Sequence, residues 1–404
     1  MLVLFIYVSE SGHNQNYSTI PTQLTNSEYI NVTNHEQKFI HFPANNSNSS
    51  AGLSNKNYKS ILIWNTPKLI ETAIFGFGHE PFVRHGCEIS DCVIFNQSSS
   101  SSGTSTSALK EFDAIIMHMS TIWSSDLPEH ERPKYQRFIF FAQESPSSMV
   151  QSLPDIISMR NYFNWTMTYR TNSDIPFLYG RIEPETTAPK TREETLRLMQ
   201  NFNRHHIQNY AANKTKLAAW MVGHCDTPGL RELYVRQLAK WIPIDVYGRC
   251  GNLSCSRNNK HAYSDPECYR MLESKYKFYL SFENSICDEY VTEKFFEIMT
   301  RDIVPIVYGG ADYKRIAPRH SFIDAMQFTP EALAQYLRIL DANDGLYNEF
   351  FWWKRHYKVE AGLHQMARHG FCELCKKLHQ DQSASKYYPD LAAEWHPHKK
   401  CWKY

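Results

Sequence analysis

Between residues 276 and 312 the hydrophobic period of the chain changes twice. Tyr276, Phe278, Leu280 and Phe282 alternate with their neighbours, which is the period of a strand. A polar turn follows, Glu283-Asn284-Ser285, and then Phe295, Phe296, Ile298 and Met299 recur at helical spacing. Ile303–Tyr308 reads as a second buried strand before Gly309-Gly310. Strand, helix and strand in so short a span make a βαβ unit, whose crossover is almost always right-handed.

The same alternation of elements runs on both sides. Upstream, Ser60–Trp64, Phe112–Met119, Arg137–Ala142 and residues 162–169 predict buried strands. Thr191-Arg192-Glu193-Glu194 is a capping box opening an amphipathic helix that runs to Asn209, read as the link between two halves. Beyond it Lys216–Val222 predicts a strand, with Thr227 the expected N-cap and Pro228 at the first helical position. Leu230, Leu233, Tyr234 and Leu238 then bury one helix face, and Ile242–Tyr247 completes another βαβ unit. The expected class is α/β with two Rossmann-like domains, at 58–190 and 211–365, joined by a linker helix at 191–210. Residues 1–57 precede them as a Ser/Asn/Thr-rich stem, and 366–404 follow as a Cys-rich tail.

Ligands of open parallel sheets bind at the carboxyl edge of the strands. A helix starting near Thr292 puts Glu293 and Lys294 in its first turn at that edge. A helix N-terminus favours anions, Lys294 adds a full positive charge, and a carboxylate can accept hydrogen bonds from sugar hydroxyls. The local pattern is that of a phosphate-and-sugar site, although a surface Glu-Lys pair is an ordinary helix feature. Arg231 falls at the equivalent point of its own βα unit, where it could meet the same anion or simply be solvated. Glu144 ends the Arg137–Ala142 strand in the turn Gln143-Glu144-Ser145-Pro146, a position suited to proton transfer or to capping a helix.

Composition narrows the function. The 43 basic and 42 acidic residues leave a net charge of +1, so no whole-chain field points to nucleic acid. Ten cysteines and the Asn-x-Ser/Thr sequons at Asn16, Asn31, Asn45, Asn48, Asn96, Asn164, Asn213 and Asn252 indicate a secretory-pathway chain. Cys87 and Cys92 are spaced for a local disulfide. Leu2–Val8 is apolar but falls short of the roughly 20 residues needed to span a bilayer, and it lacks a basic flank. Ser98–Ser107 is a low-complexity loop. The sequence lacks GxGxxG, GxxxxGK[ST] and Gly-x-Ser-x-Gly. It also lacks Asp-x-Asp, the usual carboxylate pair that holds a metal against a nucleotide diphosphate.

FYLSFENS, DEYVTEKFFE and VPIVYGGADY resemble the central donor motif of the α1,3-fucosyltransferases, glycosyltransferase family 10. QESPSS at 143–148, WTMTYRTNSDI at 165–175 and the WMV…REL…YG run at 220–248 extend the likeness over residues 60–400. The resemblance implies a GT-B architecture: two Rossmann-like domains facing each other across a cleft, with GDP-fucose on the second and the acceptor on the first. It implies inverting transfer with no cofactor and no protein-bound metal. Carried over by position, Glu144 matches the general base, while Arg231, Glu293 and Lys294 match residues holding the diphosphate and ribose, with Asn284 and Tyr290 beside them. The implied partners are GDP-fucose and a glycoprotein N-glycan, and the implied place is the Golgi lumen. Family members carry an N-terminal membrane anchor, which here is expected to be short or missing.

The tail leaves two chemistries open. Cys372 and Cys375, with His379, His396, His398 and Cys401, could bind zinc or form disulfides; the paired Cys-x-x-Cys of the family implies disulfides. Phe350-Phe351-Trp352-Trp353 reads as packing rather than a sugar platform. FCELCKKLH, at 371–379, looks most like members acting on the innermost GlcNAc of N-glycans, with peripheral N-acetyllactosamine the alternative acceptor. A catalytically silent glycan-binding protein on the same fold is the reading from another class.

Overall fold

The computed structural model describes residues 58–64, 74–96, 109–120, 127–128, 131–149, 160–205, 208–255, 265–381, 386–391 and 395–402. The expected stem, the apolar run Leu2–Val8, the sequons at Asn16, Asn31, Asn45 and Asn48, and the Ser98–Ser107 run lie outside them.

The first half is built on β1 (Lys59–Trp64), β2 (Cys92–Asn96), β3 (Ala114–His118), β4 (Arg137–Ala142), β5 (Trp165–Thr168) and β6 (Ile175–Pro176). They form one parallel sheet in the order β2-β1-β3-β4-β5-β6. Side chains alternate across it: Ile61 and Ile63 pack on one face, Leu62 on the other, so both faces need cover.

β7 (Gly180–Pro184) leads to a helix, α1 (Arg192–His205), whose first turn realises the expected capping box. Thr191 Oγ1 accepts from the Glu194 backbone N–H at 3.1 Å, and Glu194 Oε2 accepts from the Thr191 N–H at 3.2 Å. The second half then runs β8 (Lys216–Met221), α2 (Arg231–Leu238), β9 (Ile244–Tyr247), α3 (Pro266–Lys275) and β10 (Tyr276–Phe282). It continues with α4 (Glu293–Met299), β11 (Val304–Tyr308), α5 (Tyr313–Ile316), β12 (Ile323–Asp324) and α6 (Pro330–Asp341). Its sheet is parallel throughout, in the order β12-β11-β10-β8-β9. Phe350, Phe351, Trp352 and Trp353 lie in a 3-10 segment and are all buried in the core of this half.

After this core the chain returns to where it began. β13 (Tyr357–Ala361) pairs antiparallel with β7, and α7 (Leu363–Gln380) lays Met366, Phe371, Leu374 and Leu378 against β1, β3 and β4 residues of the first sheet. Gly370 allows that approach, because a Cβ there would sit 1.8 Å from the Phe177 ring. Residues 366–380, the start of the stretch read from sequence as a tail, are therefore part of a covering helix of the first half.

Disulfides fix the same return, and they correct one expectation. Cys87 does not pair with Cys92, nor Cys372 with Cys375. Cys87 bonds Cys372 and Cys92 bonds Cys375, with Cα–Cα separations of 5.1 and 5.9 Å. Positions 372 and 375 lie about one turn apart on α7, so both sulfurs face the strand and loop below. Cys225–Cys250, Cys255–Cys268 and Cys287–Cys401 account for the remaining cysteines. Ligand atoms of Cys92, Cys375 and His379 come within 4.8 Å of one another, but both sulfurs are already in a disulfide, so this is not a zinc site. Asn164 is a second correction. It is fully buried, its Oδ1 accepting from the Phe138 N–H at 2.8 Å and its Nδ2 donating to the Lys386 carbonyl at 2.9 Å. A glycan has no room there, whereas Asn96, Asn213 and Asn252 are exposed. No helix among the described residues is long and apolar enough to cross a membrane.

Candidate active site

The carboxyl edges of the two sheets meet. Beyond β4, Glu144-Ser145-Pro146-Ser147-Ser148 packs on the turn beyond β10. Ser145 Oγ donates to Ser285 Oγ at 2.7 Å, and Ser148 Oγ lies 3.2 Å from the same atom. Ser147 Oγ is 3.3 Å from Cys287 Sγ, whose disulfide to Cys401 draws the C-terminal segment onto the junction. On the same seam, Thr171 N–H donates to Glu289 Oε2 at 2.9 Å, and the Tyr169 and Tyr290 rings meet edge to face at 4.9 Å.

Glu144 is half-buried, and Tyr290 donates its hydroxyl to Glu144 Oε2 at 3.1 Å. Burial, and then the Glu144 charge, pushes the Tyr290 hydroxyl well above its ordinary range, so it stays a donor. The candidate base is thus anchored by one residue from the other half.

The second edge is dense with charge. Thr292 caps α4 as expected, its Oγ1 accepting from the Lys294 N–H. Lys294 Nζ donates to Thr292 Oγ1 and Glu293 Oε1, each at 2.9 Å, and lies 3.7 Å from Glu283 Oε2. Burial disfavours the Lys294 charge, but the Glu293 and Glu283 carboxylates hold its pKa above the ordinary value. For Glu293, burial acts against ionisation and Lys294 outweighs it, so its pKa falls below the ordinary value. Glu283 is fully buried and accepts from the Thr292 N–H at 2.8 Å; burial raises its pKa against the pull of Lys294.

Arg231 reaches this edge by a route different from the expected one. α2 does not start at Thr227–Pro228. Thr227 Oγ1 donates to Glu232 Oε1 at 2.9 Å, Gly229 N–H donates to the Asn284 carbonyl at 2.9 Å, and Leu230 turns left-handed with φ 51° before the helix begins. The turn is clasped to the β10 edge instead of joining the helix. Arg231 still occupies the first turn, and it is buried, with Nη1 donating to the Phe282 carbonyl at 2.6 Å and Nη2 to the His224 carbonyl at 3.3 Å. Asn284 is buried, and its Oδ1 accepts no hydrogen bond from the described residues.

The structure brings Arg231, Asn284, Glu293 and Lys294 to one edge, with Tyr290 and Glu144 at the junction. Three residues were missed by sequence reasoning. Glu283 is the buried partner of Lys294. His224 sits in the field of Arg231, Arg249 and Lys294; burial first, and then those cations, lower its pKa. His224 follows β8, Arg249 follows β9 and Glu283 follows β10, so the carboxyl-edge rule applied to every strand would have found them. The arrangement offers clustered cations to an anion on one side and a lone carboxylate to a hydroxyl on the other.

Residues 211–395 match the family described as Glycosyltransferase family 10 (fucosyltransferase) C-term, and residues 56–180 match Fucosyltransferase, N-terminal. Alpha-(1,3)-fucosyltransferase C of Drosophila melanogaster is 36% identical over 317 residues, 76% of this chain and 70% of that protein. Glycoprotein 3-alpha-L-fucosyltransferase A of the same organism is 31% identical over 345 residues, 84% of this chain and 59% of that protein. A crystal structure of an alpha1,3-fucosyltransferase with GDP-fucose aligns with a TM-score of 0.48 at 14% identity, covering 84% of this chain and 96% of that one. The chain belongs to glycosyltransferase family 10, the fucosyltransferases.

Proposed function

We propose that this chain transfers L-fucose from GDP-fucose to the 3-hydroxyl of a GlcNAc residue in a protein-linked glycan, inverting the anomeric carbon. The observation that carries the reading is the 3.1 Å hydrogen bond from Tyr290 to Glu144, which sets a carboxylate of one sheet edge against the segment leading into the Lys294 helix. A sugar hydroxyl becomes a strong nucleophile as its proton leaves, and Glu144 takes that proton. The acceptor oxygen bonds to the fucose anomeric carbon while the bond from that carbon to the β-phosphate oxygen breaks, its electron pair passing to GDP. The diphosphate is a good leaving group, so no second carboxylate has to protonate it, in contrast to glycoside hydrolysis. Lys294 and Arg231, with His224 and Arg249 nearby, stabilise the charge that grows on GDP. We assign Glu293 to the ribose, whose hydroxyls can donate to its carboxylate, with Asn284 beside it.

Transfer of fucose and the α1,3 linkage are supported by the names of the relatives, and a protein-linked acceptor by the name of the second. Five disulfides support work in an oxidising lumen, which we take to be the Golgi. GDP release from GDP-fucose, with mass spectrometry of products from core N-glycan and N-acetyllactosamine acceptors, tests the reading. Fucose on the core GlcNAc is the expected product. Fucose on the lactosamine alone would move the acceptor, and binding without GDP release would leave a glycan-binding protein.

A further inference from the structure

α5 has two faces. Tyr313 is buried, its hydroxyl 2.6 Å from where a Cβ on Gly309 would stand, and Gly309 closes β11 beside Glu283. Lys314 and Arg315, together with Arg319, instead line a cavity of about 330 Å³ that is also bounded by Ile182, Trp352 and Tyr357. No Asp or Glu lines it. The three cations are exposed, and none makes a side-chain hydrogen bond or ion pair among the described residues.

A second cavity in the molecule shows the ordinary case. Beside the Cys87–Cys372 disulfide, Arg181, Arg368, His369 and Lys376 line a space together with Glu88 and Glu373. There Lys376 Nζ pairs with Glu88 Oε2 at 2.7 Å and His369 Nε2 with Glu360 Oε2 at 2.6 Å. Two of those four groups are paired with protein carboxylates; on α5 the adjacent carboxylate, Asp312, accepts from the Lys314 backbone N–H and pairs with none of the three cationic side chains.

The backbone that carries these three cations is held by the core. Trp352, 1% exposed, donates its Nε1–H to the Arg319 carbonyl at 2.8 Å. Ser321 Oγ donates to the Pro318 carbonyl at 2.7 Å, and His320 stacks on Phe350 at 4.0 Å. Three cations on α5 and the loop after it, beside the half-buried Ile182 and Tyr357, suit a ligand with both negative charge and an apolar ring face. The volume is in the range of pockets that hold small organic ligands and exceeds what an inorganic anion fills.

We propose that this cavity is a binding site for an acidic sugar, one carrying a carboxylate or a sulfate, separate from the Glu144–Lys294 junction. It involves neither Glu144 nor the donor, so it stands or falls independently of the transfer reaction. Cations select the negative group, with arginine able to hold a carboxylate or sulfate through two parallel N–H bonds, while the ring face rests on Ile182 and Tyr357.

The test is titration of the full chain with sialyllactose and lactose sulfate, with neutral lactose and inorganic sulfate as controls, read by ligand-observed NMR. The acidic sugars should bind saturably, with lactose and sulfate each at least about tenfold weaker. Lys314→Ala/Arg315→Ala/Arg319→Ala should weaken the acidic sugars by about tenfold or more and leave GDP binding unchanged. Raising NaCl should weaken the wild-type interaction as well, a readout that depends on no variant. Lactose binding as tightly as its charged forms, sulfate alone matching them, undiminished binding by the triple variant, or indifference to salt would each overturn the proposal.

Discussion

The two sheet edges that meet at the junction are built alike and charged differently. Each is the carboxyl edge of a parallel sheet, where strand ends point the same way and the following turns lie side by side. On the first edge, Glu144 stands among serines and answers to one hydroxyl, that of Tyr290. On the second, Lys294, Glu293 and Glu283 are locked together, with Arg231 buried against backbone carbonyls beside them. A lone, half-buried carboxylate can change protonation at small structural cost. A buried network cannot, and it suits a fixed potential. The difference between the edges is the difference between a group that moves a proton and a group that stabilises charge.

The largest expected effect breaks the first edge alone. Glu144→Gln keeps the shape and removes the base, so turnover should fall by about 10²–10⁴-fold while GDP affinity, measured by calorimetry, stays the same. A variant with normal turnover would end the assignment of the base. Next comes Lys294→Ala, which should cost about 10²–10³-fold in turnover. It should also lower the thermal midpoint, because it leaves Glu283 buried without its cation. Near-normal turnover in this variant would show that the second edge is structural only.

A smaller change links the edges. Tyr290→Phe removes one hydrogen bond to Glu144, worth about 1 kcal/mol, so turnover should drop about fivefold with the fold intact. The smallest effect is on stability against pH. Glu293 has a folded pKa below its ordinary 4.5, so its contribution is present above that value and lost as pH falls toward the folded pKa. Lys294 has a folded pKa above 10.5, so its contribution is present below 10.5 and lost as pH rises through the folded pKa. Urea midpoints of wild type minus Glu293→Gln should therefore be flat between about pH 5 and 10 and shrink in more acidic solution. A difference that grows on acidification would reverse the assigned sign.

Much of this was legible in the chain. The run from Tyr276 to Gly310 carried its own strand, turn, capped helix and strand, because periods of 2 and 3.6 are local properties. The capping box at Thr191 and the N-cap at Thr292 are likewise local hydrogen bonds between residues a few positions apart. Thr227 misled because its hydroxyl is taken by Glu232 and the turn after it is tied through Gly229 to distant Asn284, so α2 starts later. The Asn164 sequon misled for the same reason, since a motif read along the chain says nothing about burial.

The sequence by itself determined the α/β class, the strand ends at which functional groups would stand, and the family through its motifs. Tertiary structure alone decided which distant residues meet. Tyr290 with Glu144, Cys92 with Cys375 and Cys87 with Cys372 are contacts across 146 to 285 positions, and α7 reaches back to the first sheet from near the other end of the chain. Periodicity sets which face of an element is apolar, but not which other face covers it; that is settled by packing the whole chain at once.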